Sequence, residues 1–375
     1  MIVYNLSGRV SLGVTADDGR VRSAVARQMD PFESTGVSTP EPDVVLRFDA
    51  EPDGTWTDVQ NPARDGLTTA FDGRVLALLD GDDTCSVQCS PTGAPLEIRC
   101  SPGFPVGRLF RTVVRPALQT AAVRRDAVAV HSAAVEVDGR AVLVAGWSES
   151  GKTETALALM EQGARWVSDK WTLLGTDGEA SAFPVNVGVR RWVLPHLPRL
   201  ASALPPVSRA QVTAAGAAAW ATEPLRRRRS RGGRVGMAAG LAESAVGLAD
   251  RAALTPSGIR TAYGQDDDPT RRLPLGTVAL LTTVPGPEIT VEPVDPGWAA
   301  RRLALTGAYE RHDWYMLQDR LRYADLSLQA GERERAVAAE CAVLEKALAG
   351  ARVLSVRAPF PVDPGLVARA VQEAM

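Results

Sequence analysis

The octapeptide Gly146-Trp147-Ser148-Glu149-Ser150-Gly151-Lys152-Thr153 constrains this chain more than any other stretch, because it matches G-x-x-x-x-G-K-[ST] in full. Five apolar residues, Ala141–Ala145, lead into it, and a helix-like run from about Lys152 to Gln162 leaves it. The order strand, glycine-rich loop, helix gives each residue type a physical task. The glycines permit a turn that aims successive backbone N–H groups at phosphate oxygens. A helix beginning at Lys152 adds its positive N-terminal end. Lys152 is placed to reach the β- and γ-phosphates, and Thr153 to offer its hydroxyl to Mg2+. Residues Gly146 to Glu154 (with Trp147, Ser148, Glu149, Ser150 and Gly151 between) form the candidate nucleotide-binding set, with ATP and Mg2+ as the expected ligands.

The flanks fit an α/β nucleotide-binding core. In "AVAVHSAAVEVDGRAVLVAG" two apolar, β-branched runs enclose Asp138-Gly139, a hairpin pattern with a tight turn. Gly163 stands where a helix C-terminus favours glycine, and "RWVS" reads as a strand ending at Asp169. Upstream, residues 105–124 have helical periodicity, with Pro116 set to kink the helix or end its first part near Arg115.

The loop by itself does not choose a reaction. The chain has no LSGGQ-type signature of a transport ATPase and no Asn-Lys-x-Asp base-reading motif of a GTPase. It also lacks an apolar strand ending in Asp-Glu, as a motor-type ATPase has; "RWVSDK" ends in Asp169-Lys170.

The segment "HSAAVEVDGRAVLVAGWSESGKTETALALMEQGARWVSDKWTLL" resembles the catalytic core of the HPr kinase/phosphorylase family and its kinase relatives. The likeness rests on His131 opening the strand before the loop, on "GKTETALAL", on "QGARWVSD", and on Asp169 falling where the family has the first of two adjacent aspartates. It implies a fold related to phosphoenolpyruvate carboxykinase and transfer of a phosphoryl group to a hydroxyl, usually a serine. By the same resemblance Asp169 acts as base toward that hydroxyl, His131 lies near the transferred phosphate, and Lys152 and Thr153 keep the tasks given above; by its place at a strand end facing the loop, Asp169 can also hold Mg2+. Two positions depart from the family. Lys170 replaces the second aspartate, and "NVGVRRWVLPH" offers Arg190, Arg191 and His196 where the family has a metal-binding glutamate. Lys170 is either a solvated side chain or a cation standing in for metal charge. Arg190 and Arg191 are either substrate-binding guanidiniums or a solvated face.

The rest of the chain sets the frame. Its 375 residues exceed one small core. Short apolar runs broken by Gly, Asp and Pro over residues 1–104 predict a β-rich N-terminal domain, an antiparallel sheet or small barrel. Residues 105–375 then form the catalytic α/β domain with C-terminal helices, interrupted by an Ala- and Arg-rich insertion at about 200–270. Within it the cluster Arg226–Arg229 with Arg231 and Arg234, and "GQDDDPTRR", read as mobile surface segments. No aromatic residues interleave with the arginines and the net charge is -2, so nothing directs the chain to nucleic acid. No run approaches the ~18 apolar residues of a membrane span, and no leader is evident, so a cytoplasmic protein is expected. Cys85, Cys89, Cys100 and Cys341 fit no usual zinc spacing and read as reduced thiols in strands. His312-Asp313 reads as a helix start with an aspartate cap.

The sequence thus predicts an ATP-dependent kinase acting on a hydroxyl of a peptide, protein or small molecule. A nucleotide-binding adaptor without transfer activity, or a substrate-coupled ATPase, is the competing class, and a homo-oligomer is left open.

Overall fold

The apolar runs of the first hundred residues build one nine-stranded sheet. In the computed structural model, which describes residues 1–35, 41–48, 56–60, 68–72, 75–88, 96–204, 251–326 and 331–375, β1 (Ile2–Leu6), β2 (Val10–Thr15), β3 (Ser34–Thr35), β4 (Val44–Arg47), β5 (Asp58–Gln60), β6 (Thr68–Phe71), β7 (Leu76–Asp80), β8 (Asp83–Gln88) and β9 (Leu96–Cys100) lie in the order β3-β1-β2-β4-β9-β8-β7-β6-β5. The expected antiparallel sheet or small barrel needs correcting. β4 pairs in parallel with both β2 and β9, and the sheet is open, with β3 and β5 at its ends. The parallel step between β2 and β4 requires a crossover, and α1 (Gly19–Met29), not foreseen from the sequence, lies in it. Asp18 caps that helix by accepting from the Arg20 backbone N–H at 2.7 Å. Val21, Val25 and Met29, four apart, bury one face among its arginines. Cys85 and Cys100 are buried cross-strand partners of β8 and β9; Cys89 lies outside the described residues.

The segment after residue 104 is helical. α2 (Val106–Leu109) passes through a π-helical turn, Phe110–Val114, into α3 (Arg115–Val123) without a break. The Arg115 N–H reaches back five residues to the Phe110 carbonyl. Pro116 brings no N–H and its ring needs room at the preceding turn, so the widened turn accommodates it and the helix runs on.

The second sheet has the order β10 (Ala127–Val130), β14 (Thr172–Gly175), β15 (Glu179–Ala182), β18 (Leu273–Thr283), β12 (Arg140–Gly146), β11 (Ser132–Val137), β13 (Arg165–Ser168). β18 also pairs with β20 (Arg352–Ala358), which pairs with β19 (Thr290–Pro293). β12, β18 and β20 are parallel neighbours. Both faces of β12 are apolar, as a strand covered on both sides requires. Val142 and Val144 join the cluster under α4 (Lys152–Glu161), with Leu157, Leu159 and Met160. Leu143 and Ala145 join the opposite cluster, which holds Leu303 of α7 (Pro296–Glu310) and Leu344 of α9 (Glu332–Leu348). The β11–β12 turn has Asp138 at φ 50° and Gly139 at φ 76°, the tight hairpin expected of Asp-Gly.

The first core does not stop at the first sheet. Tyr4, Leu12 and Leu46 share one buried cluster with Leu118, Trp171, Phe183 and Trp314.

Two expectations for the later chain change. Residues 251–272 are not a mobile segment: β17 (Arg251–Leu254) pairs with β16 (Val187–Arg190), and α6 (Pro256–Ala262) buries Ile259. In the stretch 264–272, Asp267 pairs with Arg165, Arg260 and Arg271, Glu136 pairs with Arg271, and the Trp166 N–H donates to the Gln265 side chain at 3.0 Å. Acids spaced among arginines looked solvated in sequence, but here they satisfy partners on β11 and β13. Arg226–Arg229, Arg231 and Arg234 lie outside the described residues. Finally, α8 (His312–Ala324) begins where expected, but its N-cap is Arg311, and Asp313 sits inside the first turn without capping it. α10 (Pro364–Glu373) closes the chain against α4, and no helix among the described residues is long and apolar enough to cross a membrane.

Candidate functional site

The loop at 146–151 leaves the C-terminal end of β12, beside the end of its parallel neighbour β18, the position where open α/β sheets form ligand crevices. Gly146 has φ 146°, and a Cβ there would stand 2.5 Å from the Leu281 carbonyl oxygen and 2.8 Å from Ser150 Oγ. Only glycine fits. Gly151 is the left-handed N-cap of α4 (φ 90°), with the Phe360 ring 3.3 Å from where its Cβ would be. Glu149 also takes positive φ, 60°, and its carboxylate accepts from Arg190 at 2.5 Å.

Lys152 and Thr153 open α4, and their side chains take different partners. Lys152 Nζ donates to the Trp147 carbonyl at 2.6 Å, and the side chain is buried. Burial pushes its pKa down to about 8, against the carboxylates of Glu310, Asp169 and Glu154 and with some help from Lys170. Thr153 Oγ1 donates to Asp169 Oδ1 at 2.7 Å. Asp169 is buried, which pushes its pKa up to about 6; the hydrogen bonds from Thr153 and the Lys170 backbone oppose that rise. Ser150 Oγ is buried without a hydrogen-bond partner.

Asp169 is delivered by a sharp three-residue turn. β13 ends at Ser168, the Trp171 N–H returns to the Asp169 carbonyl at 2.7 Å, and Lys170 between them has φ 63°. A lysine in the left-handed region costs about 1 kcal/mol and is often found where function over-determines the backbone. The Ser168 hydroxyl holds the Trp171 carbonyl and fixes the turn.

His131 sits between β10 and β11, buried, with its ring 5.3 Å from that of Trp171. Burial, Lys152 and Lys170 push its pKa down to about 2, so it is a neutral imidazole. Its Nδ1 lies 3.7 Å from Glu310 Oε1, a contact between a neutral ring and a carboxylate.

Together these groups wall a cleft of about 310 Å³. The structure brings His131, Lys152, Asp169, Lys170 and Arg190 to it, with the Ser148–Glu154 segment along one side. Trp147 stays half-exposed beside the cleft, its ring 4.5 Å from that of Tyr309. Arg191 is not brought in; it starts the 3-10 turn Arg191–His196 and is exposed. Sequence reasoning missed Glu310 and Tyr309, which arrive from the far end of α7. No motif surrounds them. Among the described residues no group of three or more His, Cys, Asp or Glu is arranged to hold a metal by itself.

No protein-family model matches the chain, and no curated protein matches it.

Proposed function

We propose that the protein is an ATP- and Mg2+-dependent kinase that transfers the γ-phosphoryl group to a hydroxyl, as the resemblance to HPr kinases implies. The observation that carries this is the 2.7 Å contact of Thr153 with Asp169, next to Lys152, at the mouth of a glycine-shaped loop. A hydroxyl from the first turn of the helix facing a carboxylate from a neighbouring strand is the donor pair that P-loop enzymes use for Mg2+. The loop fits the phosphates on separate grounds. The unpartnered Ser150 hydroxyl, the positive-φ glycines and the α4 N-terminus all offer donors on one side.

Lys152 holds the β- and γ-phosphates, with a proton favoured there by their charge. Thr153 and Asp169 hold Mg2+, which when bound neutralises phosphate charge as it builds on the leaving side. Lys170, fixed in its strained turn, adds a cation where the resembling family keeps a second acid. His131 stays neutral and serves as a polar wall. The resemblance gives Asp169 the acceptor's proton, and a strand-end carboxylate facing the loop can also hold Mg2+; the Thr153 contact supports the metal part.

The test is transfer of label from ATP to serine-containing peptides, with phosphate release measured alongside. Asp169→Asn is expected to cut transfer about 100-fold while nucleotide binding survives. Nucleotide binding by the wild type with neither transfer nor phosphate release sinks the kinase reading in favour of an adaptor.

A further inference from the structure

α7 meets the site with two consecutive residues that point apart. Tyr309 lies on Trp147, outside the cleft. Glu310 lines the cleft, largely buried, with Oε1 3.7 Å from His131 Nδ1, and it is the strongest of the carboxylates acting on Lys152. The next residue, Arg311, is buried, pairs with buried Glu340 of α9, and lies 5.9 Å over the Trp171 ring that packs on His131. Glu310 is therefore held between two anchored neighbours, and its place in the cleft is built rather than incidental.

Four carboxylates line the cleft: Glu149 pairs with Arg190, Glu154 lies in the first turn of α4, and Asp169 and Glu310 come from other elements with different engagements. Asp169 already takes the Thr153 hydroxyl at Oδ1 and a Lys170 backbone hydrogen bond, which ties it to the first turn of α4, where Mg2+ is proposed. Among the described residues Glu310 accepts no hydrogen bond, its nearest polar contact being His131 Nδ1 at 3.7 Å. An unengaged carboxylate facing Lys152 is free to take a proton from a group that enters the cleft.

We propose that Glu310, and not Asp169, receives the proton of the acceptor hydroxyl. This rests on the kinase reading above. As the acceptor oxygen forms its bond to the γ-phosphorus, its O–H bond breaks and the proton passes to Glu310 Oε. The bond from the γ-phosphorus to the β–γ bridging oxygen breaks, and ADP leaves with that electron pair. Glu310 then returns the proton to solvent. Asp169 and Thr153 keep the metal side throughout, so proton and metal are assigned to carboxylates from different elements, the end of α7 and the end of β13.

The full chain with Glu310→Gln, Glu310→Asp or Asp169→Asn tests this by two readouts. The first is Mn2+ affinity in the presence of a non-hydrolysable ATP analogue. The second is transfer of label from ATP to a mixture of serine-containing peptides and to water. Glu310→Gln is expected to keep Mn2+ and analogue affinity within about twofold while transfer falls about 100-fold. Glu310→Asp, which keeps a carboxylate, recovers part of the transfer. Asp169→Asn is expected to weaken Mn2+ by about tenfold or more. Mn2+ affinity lost equally in Glu310→Gln and Asp169→Asn would make Glu310 a metal ligand and overturn the proposal. So would transfer undiminished in Glu310→Gln, with the kinase reading intact. A wild type that binds the analogue but transfers to neither peptide nor water overturns the kinase reading, and the assignment of Glu310 with it.

Discussion

Thr153 Oγ1 donates to Asp169 Oδ1 at 2.7 Å, joining the first turn of α4 to the turn that follows β13. The contact marks the position of the proposed Mg2+ site. Thr153→Ala removes one proposed ligand and leaves the buried carboxylate with the Lys170 backbone N–H as its remaining donor. The Mg2+ concentration needed for half-maximal nucleotide binding is expected to rise about tenfold or more, read by calorimetry across a Mg2+ series. An unchanged requirement would place the cation elsewhere.

Asp169 also sets a stability profile. Its folded pKa of about 6 lies above its ordinary 3.8, because burial disfavours the charged form. The folded protein binds this proton more tightly than the unfolded chain does. The group therefore costs stability above pH 6, and the cost fades as pH falls from 6 toward 4. Asp169→Asn removes that cost at an order of about 1–3 kcal/mol at pH 7. The variant's denaturation midpoint is expected above the wild type's at pH 7, with the gap closing by pH 4.

Lys152 gives the opposite proton signature on binding. Burial holds its pKa at about 8, and phosphate oxygens favour the protonated amine. Nucleotide binding at pH 8 is expected to take up a fraction of a proton, seen as a dependence of calorimetric enthalpy on the buffer's ionisation heat. Near pH 6 the sign reverses in the presence of Mg2+, since Asp169 must lose its proton to hold a cation. Lys152→Met should abolish the uptake at pH 8 alone.

Gly146→Ala places a Cβ 2.5 Å from the Leu281 carbonyl oxygen at φ 146°. The backbone conformation alone costs about 1–3 kcal/mol, and the clash pushes β12 from β18. Thermal unfolding is expected to shift down, with nucleotide affinity lost in the folded fraction. Equal stability of the variant would refute the close approach.

Arg311 and Glu340 form a buried pair, each nearly sealed from solvent. Glu340→Ala leaves a buried guanidinium unpaired and is expected to cost about 3–5 kcal/mol. The double change Arg311→Met with Glu340→Leu should recover most of that loss in chemical denaturation, because no buried charge remains.

What could be foreseen from the sequence was what short-range pattern determines. Asp138-Gly139 turns a hairpin because both positions take positive φ, and "RWVS" stops at Ser168, just before Asp169, because a strand's length and its polar stop are local. Other features depended on partners far along the chain. α1 shows only Val21, Val25 and Met29 among arginines, too thin a stripe to signal the crossover that makes the first sheet mixed. Asp267 looks like part of an acidic loop until Arg165 and Arg260 arrive from other elements. Asp313 has the composition of a cap but lies two residues past the N-cap Arg311, inside the first turn, where an acid is favoured by the helix dipole instead. Glu310 is indistinguishable in sequence from exposed acids such as Glu332 and Glu334; only the packing of α7 aims it at Lys152.

β18 runs between β12 and β20, and its first residues also pair with β15. A nascent chain that had emerged only as far as residue 260 would carry every residue from His131 to Asp169 and still leave β12 as an unsatisfied edge. The loop's floor at Leu281 and the carboxylate at Glu310 are both translated later. The proposed nucleotide affinity is therefore expected only after β18 and α7 have emerged, and its appearance during translation would time the closing of the sheet.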